Sequence, residues 1–476
     1  MTLNSSGPIS FGGSTTGQSI NLELGVSATA LASINSTSFR TLAGVASGQI
    51  SLSNFYGKSN ATYWFASFKT PFIYGYSGHT INSSNGNIVF STTTNAINPY
   101  YSTVYRVANS GSLLGYNTFS QNGPNPAFAD ANTNGAASIV VDSSCIVYGA
   151  MSYVTFLTKY SPVTSTFYFS QRNNMTLQRG IITTNGTNYY VDYSKVFGCC
   201  CCSYSGIVAY NSSGTPISGN GVASNLGGRS FTYSPNGAGS FYLATDSGVI
   251  VKQTTTSITW LWSMPASTQA YAISANSTYL AFIQISSAIA LYNVASATNT
   301  TPPTKIAYLN VSGSSAFFVQ KVGVCYDSSN NFYYLQNLNS SGQYGYLVTK
   351  LNSSGTVQWQ RTITVFLSGS NSTSYSPCIT CTGQYLNISF YSPGSASINA
   401  VGLLQYPLDG SKTGTYTAGT LSIVVAASSY TYTTNATNGS QGYSLGNTLP
   451  TISICGAGST GATGISVSST NTFTTI

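Results

Sequence analysis

Short runs of alternating hydrophobic and polar residues, bounded by Ser-Gly, Asn-Gly and Asp-Gly turns, follow one another along the chain and predict β-strands. One unit recurs. Its first half is a turn followed by a short strand, at residues 85–90, 143–148, 194–198, 239–243, 277–282, 329–334 and 383–388. Its second half is a strand, a polar turn and another strand, at residues 105–114, 158–168, 208–217, 250–262, 290–309, 348–359 and 404–416. The pattern predicts seven copies of about 40 to 58 residues, near the ~40–50 residues of propeller blades.

A four-stranded blade explains this spacing, because a blade cannot bury both of its faces alone and must pack against neighbours around a ring. We therefore predict an all-β protein with a seven-bladed β-propeller at residues 61–435. Pairing of residues 61–68 with a strand after the last repeat, such as residues 421–426, is expected to close the ring and remove an exposed edge. The alternative is a β-sandwich or a β-helix array of the same strand content, although a sandwich does not need a unit that recurs seven times.

Residues 1–60 differ from the repeats and are predicted to form a separate N-terminal module. Residues 7–11 (GPISF) and 48–52 (GQISL) are similar short elements separated by a loop rich in Gly and Ser, and residues 38–45 and 52–56 are expected to form short turns or helices. Such a module is either an adaptor that orders against a partner or a small cap that folds by itself.

The C-terminal residues 436–476 are rich in Thr, Ser and Gly and contain few large apolar residues. They are predicted to form an extended arm. The sequence leaves open whether the arm is a strand, a partner-bound segment or partly disordered.

Charged residues are only 5% of the 476 residues, and the 15 lysines and arginines behind the net charge of +8 are scattered along the chain. A nucleic-acid-binding protein would concentrate them, so that class is not expected. The 36 tyrosines, 22 phenylalanines and 4 tryptophans supply enough apolar surface for folding. A neutral exterior rich in hydroxyl and amide groups is typical of an extracellular or virion protein.

The first residues lack the basic and apolar regions of a signal peptide, and no apolar run approaches the ~20 residues of a membrane span. We therefore expect synthesis in a cytoplasm and no membrane span.

The nine cysteines are odd in number and few for the length, so we expect reduced, buried side chains.

The acidic residues and the single histidine do not predict an enzyme. Asp142, Asp192 and Asp327 each precede the same repeat strand, which indicates a repeated role in turns, and Asp409 is expected in a hairpin turn. His79 has no carboxylate nearby in the sequence and follows a turn-like Ser-Gly, so an exposed loop position is expected. The remaining carboxylates are scattered over separate units: Glu23, Asp130 and Asp246.

The cysteine motifs do not predict a metal site or a cofactor. Four consecutive cysteines at 199–202 would point to opposite faces of a strand, so buried strand packing is favoured over metal binding. Cys378 and Cys381 form a CxxC motif, but the surrounding sequence is typical of a strand and a turn, without the helix that redox chemistry requires.

Paired tyrosines are candidates for binding sugar rings, because Tyr presents rigid amphipathic area at low entropic cost. Tyr100 and Tyr101 follow Asn98 and Pro99, so we expect them in a loop and consider them the best glycan-binding candidates. Packing between blades is favoured for Tyr333 and Tyr334. The pair Tyr189 and Tyr190 is left open.

Two segments resemble known families. The phrases GPISFGG, INLELG, SFRTLAGV and ISLSNFYGKS, within residues 1–60, resemble an N-terminal module of phage tail and virion structural proteins. The phrases YDSSNNFYYL (326–335) and LNSSGTVQWQR (351–361) resemble the propeller repeats of bacterial and phage surface proteins. The resemblance implies a virion location, with the module attaching the chain to other tail proteins. The attachment residues expected from it are Gly7, Pro8, Ile9, Phe11, Ile50, Leu52, Phe55 and Tyr56.

The sequence thus favours a non-enzymatic, oligomeric structural protein of a tailed-phage tail, such as a tail fibre, tail tip or baseplate appendage, whose propeller contacts host surface glycans. One alternative is a purely architectural protein that bridges neighbouring tail proteins. A less favoured alternative is a polysaccharide-degrading tailspike enzyme, which needs two carboxyl groups about 5–9.5 Å apart. A bacterial surface adhesin would require a secretion signal.

Overall fold

The protein was examined as a computed structural model. It describes residues 3–4, 6–15, 17–24, 26–31, 33–45, 47–56, 63–70, 75–82, 84–94, 100–121, 138–141, 147–150, 155–161, 166–173, 182–184, 187–196, 203–213, 216–223, 228–234, 240–245, 249–254, 258–263, 270–284, 288–298, 301–311, 323–340, 343–367, 370–371, 375–383, 385–393, 399–434, 441–442 and 465–468.

The N-terminal module contains two short α-helices, α1 (Ile20–Glu23) and α2 (Thr37–Ala43), and one 3-10 helix (Leu52–Phe55). The short helices expected at residues 38–45 and 52–56 are therefore confirmed. Their buried side chains form one cluster, which consists of Leu3, Ile20, Phe39, Leu42, Ala43 and Phe55. Residues 3–56 thus enclose a hydrophobic core of their own. A small cap that folds by itself needs such a core.

The described strands after the module form seven sheets. Their bounds follow in chain order. The first strand is β1 (Trp64–Thr70). Sheet 1 contains β2 (Gly75–Ile81), β3 (Ile88–Thr94), β4 (Tyr100–Val107) and β5 (Leu113–Gln121). Sheet 2 contains β6 (Ser138–Val141), β7 (Val147–Ala150), β8 (Thr155–Ser161) and β9 (Thr166–Asn173). Sheet 3 contains β10 (Ile182–Thr184), β11 (Tyr189–Val196), β12 (Ser203–Tyr210) and β13 (Pro216–Ala223).

Sheet 4 contains β14 (Gly228–Ser234), β15 (Ser240–Thr245), β16 (Val249–Gln253) and β17 (Ile258–Ser263). Sheet 5 contains β18 (Ala270–Ala275), β19 (Tyr279–Gln284), β20 (Ile289–Asn293) and β21 (Thr304–Val311). Sheet 6 contains β22 (Gly323–Tyr326), β23 (Phe332–Ser340), β24 (Gln343–Leu351), β25 (Val357–Leu367) and β26 (Ser370–Asn371). Sheet 7 contains β27 (Tyr375–Cys381), β28 (Tyr385–Pro393), β29 (Asn399–Pro407) and β1. The last strands are β30 (Gly414–Ala418), β31 (Leu421–Ala427), β32 (Tyr432–Thr434), β33 (Gln441–Gly442) and β34 (Ile465–Ser468).

Each sheet is antiparallel, and the first strand of each sheet contacts a strand of the following sheet. β27 of sheet 7 also contacts β2 of sheet 1, so the contacts run around a circle. Hydrophobic side chains fill the spaces between neighbouring sheets, for example between sheets 4 and 5, between sheets 6 and 7, and between sheets 7 and 1. This radial packing confirms the predicted all-β β-propeller.

The predicted strand that closes the ring is right, but its predicted partner is wrong. β1 pairs with β29, in a register that runs from Trp64 opposite Gln405 to Thr70 opposite Asn399. Residues 421–427 instead pair with β25 of sheet 6. The reason is that the last repeat supplies only three strands to sheet 7, so the vacant edge of β29 takes the N-terminal strand.

The C-terminal strands lie on the outer edges of other sheets. β31 extends sheet 6 at β25, β32 extends sheet 5 at β21, β33 extends sheet 4 at β17, and β34 extends sheet 1 at β5. In β31 every second side chain is buried, namely Leu421, Ile423 and Val425, which pack into the core between sheets 6 and 7. The described parts of the predicted arm are therefore extended strands that cover sheet edges.

Candidate functional site: the surface of the N-terminal module

Within the part of the chain that the structure describes, exposed large hydrophobic side chains concentrate in the N-terminal module. Among the described residues, eight such side chains are exposed, and five of them lie within residues 3–56. Their exposed fractions are 38% for Phe11, 45% for Val26, 105% for Leu31, 39% for Leu52 and 38% for Tyr56. We name these five side chains the module surface. Exposed apolar side chains that lie together mark interaction sites more often than single exposed ones do.

A short network joins the two sequence elements that the resemblance assigns to attachment. The Tyr56 hydroxyl donates a hydrogen bond of 2.6 Å to the backbone oxygen of Gly7, whose φ of 89° favours glycine. The ring of Phe11 lies 5.8 Å from that of Phe39, which lies 5.9 Å from that of Phe55. The fold therefore brings residues 7–11 and 52–56 together on one core.

The expected attachment residues differ in their exposure. Gly7, Pro8, Phe11, Leu52 and Tyr56 are exposed, and they can meet a partner directly. A second group lies inward: Ile9 and Ile50 are half-buried against the core, and Phe55 is fully buried. Phe55 therefore stabilises the module and does not present a surface.

The module surface carries almost no charge. Residues 3–56 contain two charged side chains, Glu23 and Arg40, and Glu23 is buried. The Arg40 guanidinium donates to Asn35 Oδ1 at 2.9 Å and to the backbone oxygen of Gly48 at 3.1 and 3.2 Å. Its hydrogen bonds are thus directed into the module. A neutral apolar surface fits a protein partner with a similar surface better than a nucleic acid or a charged polymer.

No family model matches the chain, and no curated protein matches it. A chain in the crystal structure of the mitotic checkpoint complex is similar in structure, with a TM-score of 0.45 and 11% identity, covering 72% of this chain and 94% of that chain. BamB from Moraxella catarrhalis is similar with a TM-score of 0.36 and 9% identity, covering 69% of this chain and 96% of that chain. Similarity at this level does not indicate what this chain binds.

The tyrosine pairs fall in strands. Tyr100 and Tyr101 begin β4, where Tyr101 pairs with Ser120 of β5 and with Thr94 of β3, and they do not form the expected loop. The side chains of Tyr100 and Tyr101 lie outside the described part of the structure. Tyr333 and Tyr334 are fully buried, as predicted, and Tyr189 and Tyr190 are 2% and 3% exposed.

The prediction that His79 lies in an exposed loop is wrong. His79 lies in β2 and is 5% exposed. Its Nδ1 lies 2.6 Å from Ser389 Oγ, and its Nε2 lies 2.6 Å from Thr380 Oγ1. Burial lowers the pKa of His79 to about 3, so the imidazole is neutral at physiological pH. These contacts join sheet 1 to sheet 7 and could not be read from the residues adjacent to His79 in the sequence.

Two carboxylates, Asp327 and Asp409, hold turns. Asp327 is buried and accepts hydrogen bonds from Ser329 N and Asn331 N, both at 2.9 Å, and from the Tyr333 hydroxyl at 2.8 Å. Asp409 accepts a bond of 2.9 Å from Ser411 N. Both predicted turn roles are confirmed.

The other carboxylates do not share that role where they can be placed. The turn role predicted for Asp192 is wrong, since Asp192 lies within β11, opposite Ile207 of β12. Asp130, Asp142 and Asp246 lie outside the described residues.

Turns between the first and second strands of several sheets are held by the same kind of hydrogen bond, from a backbone N–H to a side-chain oxygen. The Oδ1 of Asn82 accepts from Ser84 N at 2.9 Å, that of Asn276 accepts from Tyr279 N at 2.8 Å, and Thr382 Oγ1 accepts from Tyr385 N at 3.1 Å. Asp327 occupies the corresponding position in sheet 6. The shared position of Asn, Asp or Thr after the first strand is a signal that the sequence reasoning did not use.

The CxxC motif lies in β27, and the turn after it begins at Thr382, so the predicted strand and turn are confirmed. Cys199, Cys200, Cys201 and Cys202 lie outside the described residues.

Among the residues that the structure describes, no group of three or more His, Cys, Asp or Glu side chains is arranged to hold a metal ion. In the same part of the chain, no helix is long and apolar enough to cross a membrane.

Proposed function

We propose that this chain is a structural component of a tailed-phage virion, in a tail fibre, tail tip or baseplate appendage, and that the module surface attaches it to another tail protein. The observation that carries the proposal is the concentration of exposed apolar side chains on a neutral module that has its own core. Three of the five side chains, Phe11, Leu52 and Tyr56, belong to the phrases that resemble the phage module. The proposed mechanism is binding through a shaped surface, without catalysis.

We further propose that the seven described sheets are seven blades, which display a broad rigid body outward from the attachment point. The circle of contacts between the first strands of successive sheets supports this number. The second part of the proposal is that the propeller contacts host surface glycans near the start of β4, at Tyr100 and Tyr101. A purely architectural role for the body is the alternative that the same fold supports.

The proposal is tested by incorporation of the chain into phage particles. Replacing Leu31 and Leu52 by Ser removes apolar area that attachment would bury, at about 1.5–3 kcal/mol for the fully exposed Leu31 and less for Leu52, which is 39% exposed. Since ~1.4 kcal/mol corresponds to a tenfold change in affinity, we expect at least about tenfold less chain in purified particles, measured by quantitative mass spectrometry. Both side chains are exposed, so the variant should fold like the wild type.

The matched control replaces Leu114 and Ile217 by Ser, because these side chains of β5 and β13 are exposed by 48% and 51%. Particles with this variant should contain the wild-type amount. Absence of the wild-type chain from particles, or equal losses with the two double variants, would argue against attachment through the module surface. No adsorption of the chain to host cells would leave only the architectural role, and unchanged adsorption after removal of the surface glycans would exclude glycans as the ligand.

A further inference from the structure

Two thiols of neighbouring sheets face each other across the space between sheets 6 and 7. A methyl group placed on Gly323 of β22 would lie 3.4 Å from the backbone nitrogen of Ile379 and 2.7 Å from its Cγ2, so β22 and β27 approach closely at these residues. Two residues further along each strand lie Cys325 and Cys381. Cys325 and Cys381 pack in the same core between sheets 6 and 7, and both cysteines are free. Cys381 Sγ also donates to the backbone oxygen of Thr382 at 3.2 Å. Burial raises the pKa of the Cys325 thiol, and the neighbouring Cys381 thiol raises it further.

The first cysteine of the CxxC motif, Cys378, is directed away from this pair. From Cys378 to Cys381 the pairing of β27 with β28 is regular, and side chains three positions apart in a strand point to opposite faces. The Cys378 thiol donates to the backbone oxygen of His79 at 3.5 Å, on the side of sheet 1. Cys381 lies on the side of sheet 6. The fold thus separates the two thiols that the sequence places together.

The two facing thiols differ in their access to solvent. Cys325 is 8% exposed and packs in the core between sheets 6 and 7, and burial raises the pKa of its thiol well above the usual range. Cys381 is half-buried and packs at the border of the same core. A small oxidant therefore meets Cys381 first, and Cys325 reacts only with a partner already at its side.

We propose that Cys325 and Cys381 form a reversible disulfide that joins sheets 6 and 7 when the protein meets a small-molecule disulfide. In the first step, the Cys381 thiolate attacks one sulfur of the oxidant, a protein-to-oxidant S–S bond forms, and one small thiolate leaves. In the second step, the Cys325 thiolate attacks Cys381 Sγ, the Cys325–Cys381 bond forms, and the second small thiolate leaves. The two protein thiols lose two protons and two electrons, and the oxidant is reduced to two thiols. This inference does not depend on the proposed function.

The test is oxidation of the folded full-length chain with oxidised glutathione, followed by alkylation of the remaining thiols under denaturing conditions and peptide mapping by mass spectrometry. We expect a linked peptide pair containing Cys325 and Cys381, about 2 Da lighter than the sum of the two reduced peptides, which disappears after treatment with dithiothreitol. Because a thiolate attacks in each step, the linked pair should form faster as the pH is raised from 7 to 9.

Two variants make the result specific. The variant Cys378→Ser should retain the linked pair, whereas Cys325→Ala should lose it and leave Cys381 joined to glutathione. Circular dichroism of each variant establishes that it is folded, so a lost link cannot be attributed to unfolding. A link between Cys378 and Cys381 in the folded wild type, or no link at Cys325 after Cys381 has taken up glutathione, overturns the proposal.

Discussion

At the scale of single residues, a chain of hydrogen bonds crosses the place where the ring closes. The Tyr76 hydroxyl donates to Ser389 Oγ at 2.6 Å, and Ser389 and Thr380 flank the two nitrogens of His79. The two hydroxyls can each donate or accept, so they suit either tautomer of the ring. Burial disfavours the charged form of His79, so the imidazole at the junction of sheets 1 and 7 is neutral.

We predict that the junction is acid-labile. The pKa of His79 is about 3 in the folded protein and 6.5 in the unfolded chain, so only the unfolded chain binds this proton between those values. The stabilisation is complete above pH 6.5 and decreases as the pH falls toward 3, by roughly 5 kcal/mol at most. Urea unfolding of the wild type at a series of pH values measures this loss.

The variant His79→Gln keeps hydrogen-bonding groups but does not titrate, and it should show a smaller loss of stability over the same pH range. The nearby titratable groups do not interfere, because burial raises the pKa of Tyr76 well above its usual range and that of Cys378 to about 11. The carboxylates elsewhere titrate equally in both proteins. Identical pH profiles for wild type and variant would contradict the prediction.

At the scale of elements, the C-terminal strands protect sheet edges. β32 pairs with β21 of sheet 5, and the hydroxyl of Tyr432 also donates to Gln336 Oε1 at 3.0 Å and lies 2.7 Å from Thr349 Oγ1, both in sheet 6. One short strand thus covers an edge and links two sheets. An uncovered outer strand presents unpaired N–H and C=O groups that add strands from other molecules.

We predict that a chain ending after Ala427 forms larger assemblies than the full chain, because the outer edges of β21, β17 and β5 are then uncovered. Size-exclusion chromatography with light scattering measures this change. A chain ending after Gly442 keeps β32 and β33 and should assemble less. The edge-protection account is wrong if the shorter chain has the same size distribution as the full one.

At the scale of the whole molecule, the N-terminal strand holds the ring closed. β1 places Phe65 and Phe68 in the cores on the two sides of sheet 7. Trp64 Nε1 also donates to the backbone oxygen of Asn109 at 2.8 Å, which fastens β1 to a turn of sheet 1. β1 thus joins the two ends of the propeller, because it directly precedes sheet 1 in the sequence and pairs with β29 of sheet 7.

We predict that a chain beginning at Tyr63 unfolds at nearly the wild-type urea concentration in circular dichroism, since the module has its own core. A chain beginning at residue 71 lacks β1 and loses the burial of two phenylalanines and one tryptophan. It should be less stable by at least about 5 kcal/mol, or should not unfold cooperatively. Equal stability of the two shortened chains would show that β1 does not close the ring.

Local patterns predicted much of the fold and little of the site. Repeated turns and alternating residues are short-range properties, so the propeller class, the short helices of the module and the turn roles of Asp327 and Asp409 followed from them. The roles of Phe55 and His79 did not, because burial depends on residues that are distant in sequence. His79, for example, meets Ser389, which lies 310 positions away.

The sequence by itself determined a repetitive all-β chain with few charged residues, because composition and a period of two are properties of neighbouring residues. Only the tertiary structure decided that β1 pairs with β29, that Cys381 faces Cys325 instead of Cys378, and that Phe11, Val26, Leu31, Leu52 and Tyr56 stay exposed. Each of these depends on which strand edges and apolar faces remain unpaired once the ring has formed. Segments distant in sequence compete for those edges and faces, and a local pattern carries no information about which segment binds.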